Sequence, residues 1–319
     1  MKIIKHLILA GILVTTLLSS NTFARENLEI VRYKGNSRYD TAVEVSKNTF
    51  TSSNYAIIAS GDNYPDALVG GTLAVQIKAP ILLVKENVIP QGVITELKRL
   101  NTKKVFLLGG EKTISKTVYE QLISNGFSVD RAKGYDRLET AKEIAKLRYK
   151  YAEYVTQGER IAMVDGYNFA DSLSAAPFVA QLDSLTYLYP YVKDKTENIR
   201  YYMAFGGTNS VPKGYVEKVR IKGKSRYDTA VEIAKEYKLR LNKTINTVIL
   251  VDGRNYPDAL SSAPLTVLNN GAILLTEKEN LNKAVSDFIN NNKNIKKIII
   301  VGGESSVSKK VESQLRQIK

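Results

Sequence analysis

The chain has 319 residues, with 46 Lys and Arg against 32 Asp and Glu, a formal net charge of +14, no cysteine, no tryptophan and one histidine. Without cysteine there is no disulfide framework, no lipidated thiol and no thiol nucleophile. The one histidine, His6, lies in an N-terminal leader, so the remainder excludes Ser-His-Asp and Cys-His sites, histidine bases and the His or Cys ligands usual for zinc and copper. Carboxylate chemistry and binding survive that cut.

The leader sets Lys2 and Lys5 before an apolar run from Leu7 to Leu18 and a small, polar stretch ending Thr22-Phe23-Ala24. This order is that of a secretory signal peptide over residues 1–24, cleaved after Ala24. The run is too short for a membrane span, no later segment reaches the roughly 18 apolar residues a span needs, and the sequence ends Gln317-Ile318-Lys319 with no apolar tail. A soluble exported chain without a covalent anchor is expected. Its basic excess survives cleavage and favours an anionic partner, with nucleic acid disfavoured by export.

After the leader, strand-length apolar runs alternate with segments of helical period. Strands are expected at 30–33, 55–59, 80–84 and 104–108, and helices at 38–47, 66–77, 91–100 and 115–124. This βαβα order predicts an α/β fold, a parallel sheet covered by helices on both faces. Strands at 248–251, 272–275 and 298–301 repeat the pattern near the C-terminus. In the middle of the chain, Leu185-Thr186-Tyr187-Leu188-Tyr189 stands where Pro80-Ile81-Leu82-Leu83-Val84 stands earlier.

The pattern recurs because the chain is three copies of one unit. Gly35-Asn36-Ser37-Arg38-Tyr39-Asp40-Thr41-Ala42 returns as Gly134-Tyr135-Asp136-Arg137-Leu138-Glu139-Thr140-Ala141 and Gly223-Lys224-Ser225-Arg226-Tyr227-Asp228-Thr229-Ala230. A second signature, Gly61-Asp62-Asn63-Tyr64-Pro65-Asp66-Ala67-Leu68, returns at 166–173 and 253–260, and Gly109-Gly110 returns as Gly206-Gly207 and Gly302-Gly303. The copies are domain-sized, so each could hold its own core. Residues 25–129, 130–219 and 220–319 are the expected modules.

Each motif has a bland reading beside a functional one. Arg38, Arg137 and Arg226 could pair with Asp66, Asp171 and Asp258 of the same copy, tying two loops together, or could face a phosphate or carboxylate on a polymer. Asn63, Asn168 and Asn255 fall at the carboxyl edge of a parallel sheet, where ligands bind in open α/β folds, yet Asn is also a turn residue. Tyr64, Phe169 and Tyr256 could stack on sugar rings or fill the core. The Gly-Gly pairs lack the rest of a nucleotide fingerprint and read as tight turns, so no cofactor is expected, nor any metal.

Taken together, the Gly-x-x-Arg-Tyr-Asp-Thr-Ala, Asn-Tyr-Pro-Asp-Ala-Leu, Ala-Pro-Ile-Leu-Leu and Leu-Gly-Gly elements of the first copy resemble the cell wall binding repeat 2 family, across all three repeats. The resemblance implies Rossmann-like modules around a pseudo-three-fold axis, holding surface-layer and other wall proteins non-covalently on an anionic secondary polysaccharide of a Gram-positive envelope. It implies anchoring through Ile81, Leu82 and Leu83 and through Ile273, Leu274 and Leu275, which the residues themselves present as a buried strand. Arg38, Tyr39, Asn63, Tyr64, Asp66, Arg137, Asn168, Asp171, Arg226, Tyr227, Asn255, Tyr256 and Asp258 are the candidate polymer contacts. The middle repeat departs from the pattern, with Leu138 for Tyr39 and Tyr227, and could bind weakly or mainly close the ring.

Family members usually add an effector region, and none is expected within these 319 residues, which the three repeats fill. A non-catalytic wall-binding protein is therefore the primary expectation, with surface-layer proteins as possible partners. A carboxylate-based glycan hydrolase using Asp66, Asp171, Asp258 or the nearby Asp62, Asp165 and Asp252 is the enzymatic alternative. A coat component or host-binding adhesin is the structural one.

Overall fold

The computed structural model describes residues 28–152, 159–182, 186–214 and 216–318. The leader, residues 1–24, lies outside them. The first repeat runs β1 (Glu29–Tyr33), α1 (Arg38–Thr49), β2 (Tyr55–Ser60), α2 (Pro65–Gln76), β3 (Ile81–Val84), α3 (Gln91–Arg99), β4 (Lys104–Leu108) and α4 (Lys116–Ser124). The second runs β5 (Ser128–Ala132), α5 (Arg137–Lys150), β6 (Arg160–Asp165), α6 (Phe169–Val179), β7 (Thr186–Tyr191) and β8 (Met203–Phe205). The third runs β9 (Val219–Ile221), α7 (Arg226–Leu241), β10 (Thr247–Asp252), a 3-10 turn (Pro257–Ser261) leading into α8 (Ser262–Leu268), β11 (Gly271–Thr276), α9 (Lys283–Asn291), β12 (Lys297–Val301) and α10 (Lys309–Arg316).

The strands form three parallel four-stranded sheets, ordered β3-β2-β4-β5, β7-β6-β8-β9 and β1-β12-β10-β11. Thus the first strand of each repeat completes the sheet of the repeat before it, and β1 closes the circle by pairing with β12 from Glu29 beside Lys297 to Tyr33 beside Val301. One apolar cluster is shared by all three repeats, running from Tyr39 and Leu83 through Phe178 and Phe205 to Leu274 and Ile300, while the first repeat keeps a second cluster of its own around Ile58, Leu82 and Leu107. The sequence shows strand and repeat, but not which sheet a strand joins, because a strand's own pattern is the same in either sheet.

Equivalent residues of the three repeats meet on a pseudo-three-fold axis. The rings of Tyr64, Phe169 and Tyr256, just ahead of α2, α6 and the 3-10 turn or opening them, lie 5.0 to 6.1 Å apart between centroids. Farther along the same helices, Gly71, Ala176 and Ala263 let the backbones converge: a Cβ on Gly71 would come within 2.9 Å of Ala263 Cβ and 3.5 Å of Ala176 Cβ. Small residues at the crossing and large rings at its end are what three converging helices require.

The edge strands are covered by the preceding repeat around the ring. β7 contacts α2, β11 contacts α6, and β3 contacts the 3-10 turn, while α5, α7 and α1 pack on α2, α6 and the 3-10 turn with α8. With α3 and α9 on the other face of β3 and β11, Ile81, Leu82, Leu83, Ile273, Leu274 and Leu275 are at most 1% exposed. Each such side chain contributes roughly 2 kcal/mol by leaving water.

The register corrects the alignment of the middle repeat. Gly61, Gly166 and Gly253 each donate their N–H to the carbonyl of the last residue of the neighbouring strand, Val84, Tyr191 and Thr276 respectively. Leu188-Tyr189-Pro190, not Thr186-Tyr187-Leu188, therefore occupies the position of Ile81-Leu82-Leu83. Outer-layer helices equivalent to α3 and α4 are also absent from the described residues between β7 and β9.

Candidate functional site

The three signatures come together at the carboxyl ends of the strands, where one repeat meets the next. The first is a turn held by its threonine: Gly35, Gly134 and Gly223 donate N–H to the hydroxyls of Thr41, Thr140 and Thr229 at 3.0 to 3.2 Å. The following helix is capped by Ser37, Asp136 or Ser225, whose side chains accept from backbone N–H groups in its first turn. This fixes the arginine that opens the helix.

Arg38 and Arg226 donate to the carbonyls of Gly61 and Gly253 at 2.6 Å, and Arg137 donates to that of Gly166. Arg38 also lies 3.4 Å from Asp62, which accepts from the hydroxyl of Tyr39 at 3.1 Å. Tyr39 and Tyr227 are buried with their rings against Gly61 and Gly253, where a Cβ would come within 2.6 Å of either ring. The arginine thus ties the first signature to the second within each repeat, through a backbone carbonyl.

Two of the three aspartates of the second signature, Asp66 and Asp171, face the arginine of the next repeat instead, contrary to the pairing expected within one copy. Burial pushes the Asp66 carboxyl up to about 6, opposed by the charge of Arg137 and a hydrogen bond from Thr140, both of the second repeat. Burial likewise pushes Asp171 up to about 6, reinforced by Asp165 and opposed by Arg226 of the third. Each carboxylate also packs on the first glycine of the Gly-Gly pair. Gly109, Gly206 and Gly302 have φ of +108°, +96° and +119°, and a Cβ there would meet Asp66, Asp171 or Asp258 Oδ2 within 2.9 Å. Asp258 accepts in addition from Ser306 at 2.7 Å.

A second arginine per repeat, six residues before the first, escaped the motif reading. Arg32, Arg131 and Arg220 lie on the exchanged strands and donate to the carbonyls of Gly302 and Val307, Gly109 and Ile114, and Gly206 and Val211, at 2.8 to 3.0 Å. Each binds the preceding repeat's Gly-Gly loop to the incoming strand. Their identical offset from Arg38, Arg137 and Arg226 was the available signal.

The junction of the first and second repeats is an open cleft of about 710 Å³, bounded among others by Asn63, Asp66, Gly110, Lys133, Tyr135 and Arg137. A second cleft, of about 440 Å³, lies between Gly207-Thr208-Asn209 and Lys222-Gly223-Lys224 at the next junction. The lysine four residues before each helix-opening arginine reaches across: Lys133 lies 3.5 Å from Glu111 and Lys34 3.6 Å from Glu304. Thr208 replaces that glutamate at the middle junction, so Lys222 has no acidic partner there among the described residues.

Asn63 and Asn255 are exposed. Asn168 is half-buried and caps α6 by accepting from the Ala170 N–H. Tyr64 and Tyr256 are half-buried in the aromatic trio, where Tyr256 donates to the Asp62 carbonyl at 2.9 Å. Among the described residues no group of three or more His, Cys, Asp or Glu could hold a metal ion, and no helix is long and apolar enough to cross a membrane.

Known proteins share this architecture. Amidase enhancer of Bacillus subtilis (strain 168) is 27% identical over 297 residues, 89% of this chain and 40% of that protein. N-acetylmuramoyl-L-alanine amidase LytC of the same organism is 30% identical over 303 residues, 90% of this chain and 58% of that protein. The chain therefore spans less than two thirds of either relative. Cwp8 from Clostridium difficile superposes with a TM-score of 0.77 at 27% identity, over 91% of this chain and 52% of that one. The family described as Cell wall binding domain 2 (CWB2) matches residues 32–119, 131–216 and 220–312, each match opening at one of the strand arginines. The chain belongs to this family of cell wall binding domains and carries three copies of the domain.

Proposed function

We propose that the three domains hold the protein non-covalently on an anionic polysaccharide of a Gram-positive cell wall, through the clefts between successive repeats. The observation that carries this reading is the cleft at the middle junction, bordered by Lys222 and Lys224 from one repeat and by Thr208 and Asn209 from the other, with no acidic residue in its lining among the described residues. Open, cation-bearing concavities recurring along one chain suit a repeating polyanion better than a single small substrate. Each contact can be weak: three of about 4 kcal/mol, each millimolar alone, give stable retention when one chain carries them all.

The polymer's charged groups would meet the exposed lysines and the edge of the arginines, whose remaining capacity is held by glycine carbonyls. The buried Ile-Leu-Leu strand would support binding indirectly by closing the ring. Wall localisation follows from the same reading, with surface-layer proteins as possible neighbours.

Co-sedimentation with purified walls, before and after chemical removal of their anionic polysaccharide and across a salt series, tests it. Retention lost with the polymer and weakened by salt is expected. Retention indifferent to both contradicts it. Reducing sugar released from the same walls would support the hydrolase reading instead.

A further inference from the structure

The middle repeat differs from its neighbours in what lies over the outer face of its sheet. In the first repeat α3 rests on α1 and β3 and covers Val43, Leu82 and Val84. In the third, α9 rests on α7 and β11, with Val285, Phe288 and Ile289 in one buried cluster with Val231 and Leu274. In the second, residues 192–202 between β7 and β8 make only turns. The groove between α5 and β7, filled by a helix in both sister repeats, is open to about 390 Å³.

Its lining has changed with its cover. Lys142 stands where the sisters have Val43 and Val231, Tyr189 where they have Leu82 and Leu274, and Tyr149 where they have Phe50 and Lys238. Phe50 is 7% exposed but Tyr149 is 52% exposed. The Tyr187 and Tyr189 rings are nearly parallel, 14° apart with centroids 6.5 Å from each other, and form an aromatic strip along the groove.

We propose that this groove is a carbohydrate site distinct from the inter-repeat clefts, taking uncharged pyranose rings of a glycan strand against Tyr149 and Tyr189, with Lys142, Lys146 and Glu159 at its rim. A sugar offers an apolar C–H face to an aromatic ring and a border of hydroxyls that needs both donors and acceptors. The groove supplies both. Its lysines are already neutralised, Lys142 by Glu139 at 2.8 Å and Lys146 by Glu143 at 2.6 Å, so it carries no surplus charge for a polyanion. A docking helix would need the aliphatic seats of the sister repeats, and Val→Lys and Leu→Tyr have removed them.

The inference rests on the wall-binding reading only for placing the protein among glycans. Its test therefore uses soluble sugars and no walls, so either idea can fail alone. Saturation-transfer NMR of the whole protein with an N-acetylglucosamine tetramer and with cellotetraose, in 0.5 M NaCl, is the experiment. At least one tetramer should receive saturation despite the salt. The double variant Tyr149→Lys, Tyr189→Leu, which installs residues of the sister repeats, should reduce it about fivefold or more while the melting temperature holds.

No transfer to either tetramer, or equal transfer in parent and variant, overturns the proposal. So does a groove that ignores both sugars but binds a synthetic peptide of residues 88–102, which contains α3.

Discussion

Asp66 and Arg137 belong to successive repeats, yet the guanidinium of one is the charge that opposes the burial of the other's carboxylate. The relation recurs between Asp171 and Arg226. At these two junctions a buried carboxylate of one repeat is therefore completed by the next repeat, where the candidate site lies.

These carboxyls make stability depend on pH in a definite sense. Both are raised from 3.8 to about 6 in the folded chain. Between about pH 4 and 6 the folded state retains protons that the unfolded state has released, so their contribution is greatest at low pH and falls as pH rises through that window. Replacing both by Asn should flatten the slope by about 2 kcal/mol per group. Denaturant titrations of parent and Asp66→Asn, Asp171→Asn at pH 4.5 and 7 measure it. An unchanged difference between the two pH values refutes the assignment.

The strand arginines should matter more for folding than their exposure suggests. Arg131→Met leaves the Gly109 and Ile114 carbonyls without their donor and loosens β5 from the Gly-Gly loop. A loss of about 2 to 3 kcal/mol is expected. Hydrogen exchange should show β5 and the 109–115 loop opening together. A variant as stable as the parent would mean that strand pairing alone holds the junction.

The Ile-Leu-Leu strand provides a test of indirect action. Leu82 is fully buried, so Leu82→Ala should cost about 2 to 5 kcal/mol, whereas Leu82→Met should cost under about 1.5. Wall retention should follow the fraction folded in both variants. A stable, folded Leu82→Met that no longer binds walls would give this side chain a direct role.

Much of the architecture was legible because local periodicity marks strands and helices whatever they pack against. The strands from Tyr55 to Leu108 and the helices opening at Arg38 and Gln91 lie where the pattern put them. The assembly was less legible. Nothing in Ile30–Tyr33 says that its hydrogen-bond partner is Lys297–Val301, and nothing in Asp66 says that its cation is Arg137 rather than Arg38, because both pairings arise only when one repeat packs against another. The middle repeat misled through Tyr187 and Tyr189: two hydroxyl-bearing residues blurred the apolar run and shifted its alignment by two places, which only the hydrogen bond from Gly166 to Tyr191 resolves. The trio Tyr64, Phe169 and Tyr256 was visible as an equivalent set, but its meeting on an axis was not.

The most direct test of the central claim reverses charge in one cleft. Lys222 and Lys224 flank the middle junction, where Thr208 stands in place of the glutamate that meets Lys133 and Lys34 at the other two. Wall retention should be measured against NaCl concentration for the parent, Lys222→Glu with Lys224→Glu, and Lys34→Glu. The double variant should bind about tenfold more weakly at low salt, a change near 1.4 kcal/mol, and lose part of the salt dependence, while Lys34→Glu, whose lysine is already paired, changes less. Retention of both variants indistinguishable from the parent at every salt concentration would contradict polymer binding through the clefts.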